Sequence, residues 1–161
     1  MIKFARLSPQ RVAPPCVTRL ATDADLPALQ FVDALMRADR DRMHLIQSSI
    51  EKRLCWLAAD NDEVLGFILL GDFLGQGFVP LLVVAAADRR RGIGRRLLSE
   101  AERQCTRPKL FVSCNRSNLP AQELFESCGF EASGQVANFD EGDDELFYFK
   151  RIDALRTSGE P

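Results

Sequence analysis

A cluster of arginines around two glycines is the part of the sequence best suited to bind a charged ligand. The segment DRRRGIGRRLL, residues 88–98, holds five arginines within eight positions, around Gly92 and Gly94. The residues that follow have helical spacing, so the cluster is predicted to lie at a helix N-terminus, where unpaired N–H groups and the helix dipole attract anions. Arginines there would repel the dipole unless an anion were bound. The segment therefore predicts a phosphate or pyrophosphate site.

The spacing of these residues distinguishes between phosphate-binding motifs. The P-loop motif G-x-x-x-x-G-K-[ST] is absent, and the dinucleotide motif G-x-G-x-x-G lacks its third glycine, because Leu97 stands there. The pattern that fits is R-x-x-G-x-G, formed by Arg89, Gly92 and Gly94. The alternative interpretation is a solvated arginine surface without a ligand.

Two stretches of the sequence resemble a known family. LLVVAAADRRRGIGRRLLSEAE resembles the strand, pyrophosphate loop and helix of the GNAT superfamily of N-acetyltransferases. LFVSCNRSNLPAQELFESCGF, which ends in Gly129-Phe130, resembles the next strand and helix of that family. The resemblance extends over about residues 17–151. It implies acetyl-CoA as cosubstrate and a primary amine as acceptor, either a small molecule or the N-terminus or a lysine of a peptide.

The resemblance also implies roles for individual residues. The strand backbone at Leu82 and Val84 would bind the pantetheine arm, and Asn118 would contact it, cap a helix, or do both. N–H groups of the arginine–glycine turn would hold the pyrophosphate, and one or two arginines would reach the 3′-phosphate. The predicted cofactor-binding residues are Leu82, Val83, Val84, Arg89, Arg90, Arg91, Gly92, Ile93, Gly94, Arg95, Asn118 and Phe125.

The transfer reaction needs a neutral amine, a donor for the oxyanion and a proton for the leaving thiolate. A backbone N–H near residues 83–85 is the predicted oxyanion donor. In many family members a tyrosine protonates the thiolate, but the matching residue here is Phe125, which has no proton to give. Tyr148, the only tyrosine, is the catalytic candidate, with packing in a strand as its alternative role. Because of Phe125, the alternative hypothesis is that the protein is a non-catalytic acyl-CoA-binding module.

Candidate acceptor contacts come from a lone histidine and an acidic stretch. The resemblance implies that His44 lies near the acceptor site, with an ordinary surface histidine as the alternative. NFDEGDDELFYF has five acids within six positions, and its Asp140 and Glu141 are predicted to attract a cationic acceptor. A solvated hairpin loop is the alternative. The stretch does not match the D-x-[DN]-x-[DN]-G calcium pattern, so no metal is predicted.

Composition limits the classes of function. The 161 residues carry a net charge of −2, which argues against nucleic-acid and anionic-membrane partners. A third hypothesis is a protein that binds nucleic acid through the arginines, and such binding would weaken as the salt concentration rises. Five cysteines without C-x-x-C spacing argue against a disulfide framework and a zinc site, and favour reduced thiols in the cytoplasm. A homodimer is possible, because dimers are common in the family.

Periodicity predicts a single α/β domain at residues 17–153, between an N-terminal leader at 1–16 and a flexible tail at 154–161. The predicted order is a strand, two helices, three strands, a helix, a strand, a helix and two strands. It implies a mixed, mostly antiparallel sheet with about four flanking helices. The first two helices are predicted at residues 22–41 and 44–54.

Three details of this prediction bear on the site. A hairpin turn is predicted at Asn61-Asp62. The apolar run at residues 81–87 is predicted to be a strand buried on both faces, with Pro80 at its start or at a bulge. Leu26, Leu29, Val32, Leu35 and Met36 are predicted to form the apolar face of the first helix.

Overall fold

The chain forms one mixed β-sheet with helices on both faces. The computed structural model describes residues 16–152. Its strands are β1 Val17–Leu20, β2 Cys55–Asp60, β3 Glu63–Phe73, β4 Gln76–Val84, β5 Lys109–Asn115, β6 Glu131–Asp140 and β7 Asp143–Arg151. Its α-helices are α1 Leu26–Val32, α2 Arg40–Glu51, α3 Ile93–Gln104 and α4 Leu119–Ser127, with short 3-10 helices at Asp23–Asp25, Ala34–Arg37 and Ala86–Asp88.

The sheet confirms the predicted fold class. Its order is β1-β2-β3-β4-β5-β7-β6, and within residues 16–152 only β4 and β5 run parallel. This is a mixed, mostly antiparallel sheet flanked by four α-helices. Apart from Cys16, the predicted leader lies outside the described residues, and so does the predicted tail at 154–161.

Two apolar clusters attach the helices to the sheet. On one face, α1 and α2 bury Leu29 and Ile46 against Leu57 and Phe67 of β2 and β3. On the other face, α3 and α4 pack over β3, β5 and β7. The helical spacing predicted after the arginine cluster is confirmed, because the apolar residues that recur at that spacing form one buried stripe along α3: Ile93, Leu97, Leu98, Ala101 and Cys105.

The first helical region differs from the prediction of one helix at residues 22–41. Asp33 ends α1 and its side chain accepts a hydrogen bond from the Leu35 N–H at 3.2 Å. Asp39 then caps α2 by accepting from the Arg42 N–H at 3.0 Å, so α2 begins at Arg40 rather than 44. Aspartates favour such caps over a helix interior. The break turns Leu35 out of the predicted apolar face and leaves it 62% exposed.

A bulge in β4 confirms one of the two positions predicted for Pro80. Leu69 pairs with Leu81 and Gly71 pairs with Phe78, so β4 has one more residue than β3 over this interval. As a result Val79 and Leu82 both pack on the α3–α4 face. The hairpin turn at Asn61-Asp62 is also confirmed, with Asn61 at φ 52°.

The prediction that residues 81–87 are buried on both faces is wrong. β4 pairs with β5 only over 77–79, opposite 110–112, and beyond this point the two strands separate. Residues 81–85 are therefore half-buried, and residues 86–87 are exposed in a 3-10 helix. The apolar run in the sequence predicts a buried strand, but it cannot show that the neighbouring strand, β5, separates from β4 beyond Val79.

Candidate active site

A cleft of about 1850 Å³ opens where β4 and β5 separate. One end lies between the turn before α3 and the first turns of α4. The other end lies between α1, the 3-10 helix after it, and the β2–β3 hairpin. We call these ends the donor side and the acceptor side. The cleft thus passes between strands and connects the two faces of the sheet.

The free edge of β4 presents backbone groups to the cleft. The Ala85 N–H donates to the Leu65 carbonyl of β3 at 2.9 Å. Because successive residues of a strand direct their hydrogen-bonding groups to opposite sides, the backbone groups of Leu82 and Val84 point away from β3. The Val84 carbonyl accepts from Arg89 Nε at 3.4 Å, which agrees with this direction.

The turn before α3 adopts a backbone conformation that suits its glycine. Arg90 has φ 63° and Gly92, the N-cap, has φ 82°. A Cβ on Gly92 would meet nothing within 4 Å, so the left-handed backbone is what requires glycine there. In the described part of the chain no side chain caps α3, so the first N–H groups of the helix remain available to an anion.

Gly94 has a different reason to be glycine. A Cβ there would lie 2.9 Å from Cδ2 of Leu124, so Gly94 allows α3 and α4 to pack closely.

The arginine cluster is largely bonded to the protein itself. Its partners are Val84 O for Arg89, Glu123 for Arg90 at 3.3 Å, Asp88 for Arg91, Ser127 for Arg95 at 2.9 and 3.0 Å, and Cys16 O for Arg96 at 2.8 Å. Asp88 and Glu123 offset part of the positive charge near the helix dipole. The arginines also serve to join the turn before α3 to α4 and β1.

Asn118 and Phe125 both line the cleft. The Asn118 side chain caps α4 by accepting from the Ala121 N–H at 3.3 Å, which is one of its two predicted roles. Phe125 is buried, and its ring centroid lies 5.7 Å from that of Tyr148.

Tyr148 lies in the core on the α3–α4 face and is 4% exposed. It is not among the cleft-lining residues of the described chain. Burial raises its pKa, with smaller contributions from Cys114 and Glu126. This environment favours packing, the alternative role given by the sequence.

The acidic hairpin is bonded to the loop after β5. Asp140 accepts from Asn115 Nδ2 at 2.7 Å, and Asp143 accepts from Ser117 Oγ at 2.5 Å. Asp144 pairs with Arg116 at 3.1 Å, and Glu145 lines the cleft. Asp140 and Glu141 are exposed and lie outside the cleft lining of the described residues.

His44 is exposed on α2 and does not line the cleft within residues 16–152. The acceptor side instead contains residues that were not predicted to contact the acceptor: Phe31, Asp33, Leu35, Arg42, Asp62 and Glu63. Asp33 and Asp39 are residues that favour helix N-caps. Their presence within the predicted first helix was the signal in the sequence that this helix is broken near the acceptor side.

Cys114 lies on β5 and lines the cleft. Burial, followed by the negative charges of Glu145 and Asp143, raises the pKa of this thiol to about 11. The thiol is therefore protonated near neutral pH. All five cysteines of the chain are free.

Comparison with known proteins identifies the family. The sequence model of the acetyltransferase (GNAT) family matches residues 23–130, more than half of the chain. A GNAT acetyltransferase from Bacillus cereus ATCC 10987 is 30% identical, with 84% of this chain and 96% of that chain covered and a TM-score of 0.79. This chain belongs to the GNAT family of acetyltransferases and, as the resemblance predicted, is an N-acetyltransferase.

More distant structures share the fold. An N-acetyltransferase from Staphylococcus aureus Mu50 is 22% identical, with 85% and 98% of the two chains covered and a TM-score of 0.69. The yncA protein from Salmonella typhimurium, solved with its cofactor acetyl-CoA, is 20% identical, with 86% and 94% covered and a TM-score of 0.67. Among the helices described here, none is long and apolar enough to cross a membrane.

Proposed function

We propose that the protein transfers an acetyl group from acetyl-CoA to a primary amine by direct attack in a ternary complex. The observation that carries this proposal is the separation of β4 from β5. It connects an uncapped helix start on one face of the sheet with a second cleft end on the other. Two molecules that enter from opposite faces can then meet between the strands.

The donor side fits acetyl-CoA in two respects. The uncapped start of α3 suits a pyrophosphate, and the free edge of β4 offers donors and acceptors to an amide-containing arm. The proposed contacts are the backbone of Leu82 and Val84, the strand residue Val83 between them, the turn Arg89, Arg90, Arg91, Gly92, Ile93, Gly94 and Arg95, and the side chains of Asn118 and Phe125. When bound, acetyl-CoA supplies a thioester whose carbonyl carbon the amine attacks.

The protein must help the amine to lose a proton and must stabilise the oxyanion. At pH 7, deprotonating an alkyl amine with a pKa of about 10.4 costs roughly 4–5 kcal/mol. Asp140, Glu141 and His44 lie outside the cleft lining of the described residues, so we propose them only as acceptor contacts at a distance from the cleft. Glu145 is one of the acids that do line the cleft. For the oxyanion we propose the Val84 N–H, because the Ala85 N–H is already bonded to Leu65.

The leaving thiolate needs a proton from a group other than Phe125. Tyr148 and water are the two candidates, and the burial of Tyr148 favours water. A thiol with a pKa of about 8.5 is a tolerable leaving group near neutrality, so a strong general acid is not essential. Phe125 is also the residue that motivates the alternative of a non-catalytic acyl-CoA-binding module, and membership of an acetyltransferase family counts against that alternative.

Calorimetric titration with acetyl-CoA tests the donor side. We expect micromolar binding, with weaker binding of dephospho-CoA if an arginine contacts the 3′-phosphate. Gly92→Glu should lower the affinity at least about a hundredfold, because it places a carboxylate where the pyrophosphate is proposed.

Gly75→Glu is the matched control for that variant. Gly75 has φ 79°, and a Cβ on it would likewise meet nothing within 4 Å, but it lies in the β3–β4 hairpin outside the cleft lining. The two variants therefore share backbone strain and added charge. Equal affinities in the two variants would refute the pyrophosphate assignment.

Turnover on a panel of amines and peptides separates the enzyme from the binding module. Acetylation of any amine supports the proposed function, whereas tight acetyl-CoA binding without turnover on the panel supports the module. Salt-sensitive nucleic-acid binding that coenzyme A does not displace would support the third hypothesis. A cytoplasmic location and a homodimer remain predictions from the sequence.

A further inference from the structure

An ion pair between a buried aspartate and a half-buried arginine lies in the wall of the acceptor side. Asp33 is 3% exposed, and its Oδ2 accepts from Arg42 Nε at 2.6 Å. Its Oδ1 accepts from the Leu35 N–H at 3.2 Å. A carboxylate removed from water in this way requires a cation partner, so Asp33 fixes the position of Arg42.

The arrangement leaves part of the Arg42 guanidinium available. Only Nε is bonded to Asp33, and among residues 16–152 the structure gives Nη1 and Nη2 no acceptor. Arg42 stands in the first turn of α2, where its N–H is held by Asp39 at 3.0 Å, and its side chain lines the cleft. A fixed guanidinium with a free pair of N–H donors matches the geometry of a carboxylate.

Two large apolar side chains line the same cleft as this guanidinium. Phe31 is 79% exposed and Leu35 is 62% exposed. Large apolar side chains exposed together in a cleft typically contact a ligand. The same side of the cleft also contains the acidic residues Asp62 and Glu63.

We propose that the acceptor amine also bears a carboxylate, which pairs with Arg42, and an apolar group, which packs on Phe31 and Leu35. Apolar amino acids with a free α-amino group have this chemistry. Asp62 and Glu63 would attract the ammonium form as it enters the cleft. This inference rests on the proposed acetyl transfer and names the substrate class of the same site.

A binding experiment with matched probes tests the carboxylate. L-phenylalanine, its carboxamide and phenethylamine are titrated into the protein saturated with coenzyme A. We expect the acid to bind roughly ten- to a hundredfold more tightly than the amide, as a charge-assisted bidentate contact would produce. With acetyl-CoA, the same preference should appear mainly in KM.

Arg42→Lys is the decisive variant. It keeps a cation beside Asp33 but loses the planar pair of donors, so the preference for the acid should fall below about threefold. Arg40→Lys is the control, because Arg40 is exposed in the same turn of α2 and lies outside the cleft lining of the described residues. It should keep the full preference. Coenzyme A affinity should be unchanged in both variants.

Three results would overturn the inference: no binding of the acid, equal binding of acid and amide, or a preference that survives Arg42→Lys. If the protein binds acetyl-CoA and acetylates other amines, these results leave the proposed function intact. If acetyl-CoA itself fails to bind, the proposed function is wrong. The three probes are then titrated into the protein without coenzyme A, so that the carboxylate site is still tested. A purely structural Asp33–Arg42 pair would change stability without changing the acid-to-amide ratio.

Discussion

The two ends of the cleft are built in different ways. The donor side comes mostly from one continuous stretch, from the end of β4 through the turn into α3, with α4 beside it. The acceptor side combines α1, the 3-10 helix after it, Arg42 of α2 and the β2–β3 hairpin. A donor shared by many enzymes can be held by local backbone geometry. An acceptor particular to one enzyme is recognised by side chains brought together from distant positions.

The ends also differ in what holds them in place. On the donor side, backbone conformation dominates, with Gly92 at φ 82° and the arginines bonded to neighbouring elements. On the acceptor side, the Asp33–Arg42 ion pair joins the end of α1 to α2. We therefore expect substitutions in β4 to affect both ends and substitutions at Arg42 to affect one.

The largest effect is expected from Gly66→Ala in β3. A Cβ at this position would lie 2.6 Å from the Val83 carbonyl and 3.2 Å from the Val84 Cα, so β3 and β4 must move apart. We expect a loss of about 1–3 kcal/mol in the free energy of unfolding, measured in urea. Acetyl-CoA affinity and turnover should fall together, because β4 lines both ends of the cleft.

Gly71→Ala, in the same strand, is the control. The nearest atom to its Cβ would be Pro80 Cδ at 3.7 Å, an ordinary contact. This variant should keep the stability and the affinity of the parent. If Gly66→Ala had as little effect as Gly71→Ala, the expectation that the position of β4 determines the geometry of both cleft ends would be wrong.

The contrast between the ends explains what could be predicted from the sequence. The R-x-x-G-x-G turn, the α3 stripe and the Pro80 bulge depend on local spacing, and the structure contains all three. The fold class follows from the order of the elements. These features depend on local backbone preferences and short-range periodicity, and both can be predicted from a single sequence.

The acceptor side could not be predicted in the same way. Asp33 and Arg42 are nine positions apart, and they meet only because the chain breaks its helix at Asp33. The unbroken helix predicted at residues 22–41 placed Leu35 in the core, so its exposed side chain was not recognised as part of a wall. The separation of β4 from β5 arises between strands distant in sequence, and no local pattern encodes it.

Cys114 lies on β5 in the cleft lining, and its reactivity tests how accessible the cleft is at that position. Its pKa of about 11 is set mainly by burial, so its thiolate population rises tenfold with each pH unit up to that value. At pH 7.4 we expect alkylation by iodoacetamide to be at least about a hundredfold slower than for free cysteine. Mass spectrometry of the labelled peptide measures the rate, and labelling as fast as a free thiol would show an open, solvated gap.

The smallest effect is expected from Tyr148→Phe. The ring packs against Phe125 in the core, so removing its hydroxyl should change kcat by less than about threefold and leave the pH profile in place. Loss of a general acid would instead lower the rate about 10²–10⁴-fold. Measurement of kcat against pH, with the free energy of unfolding as a check on folding, separates these outcomes. A large loss confined to kcat would identify Tyr148 as the proton donor, and its role would then be catalytic rather than structural.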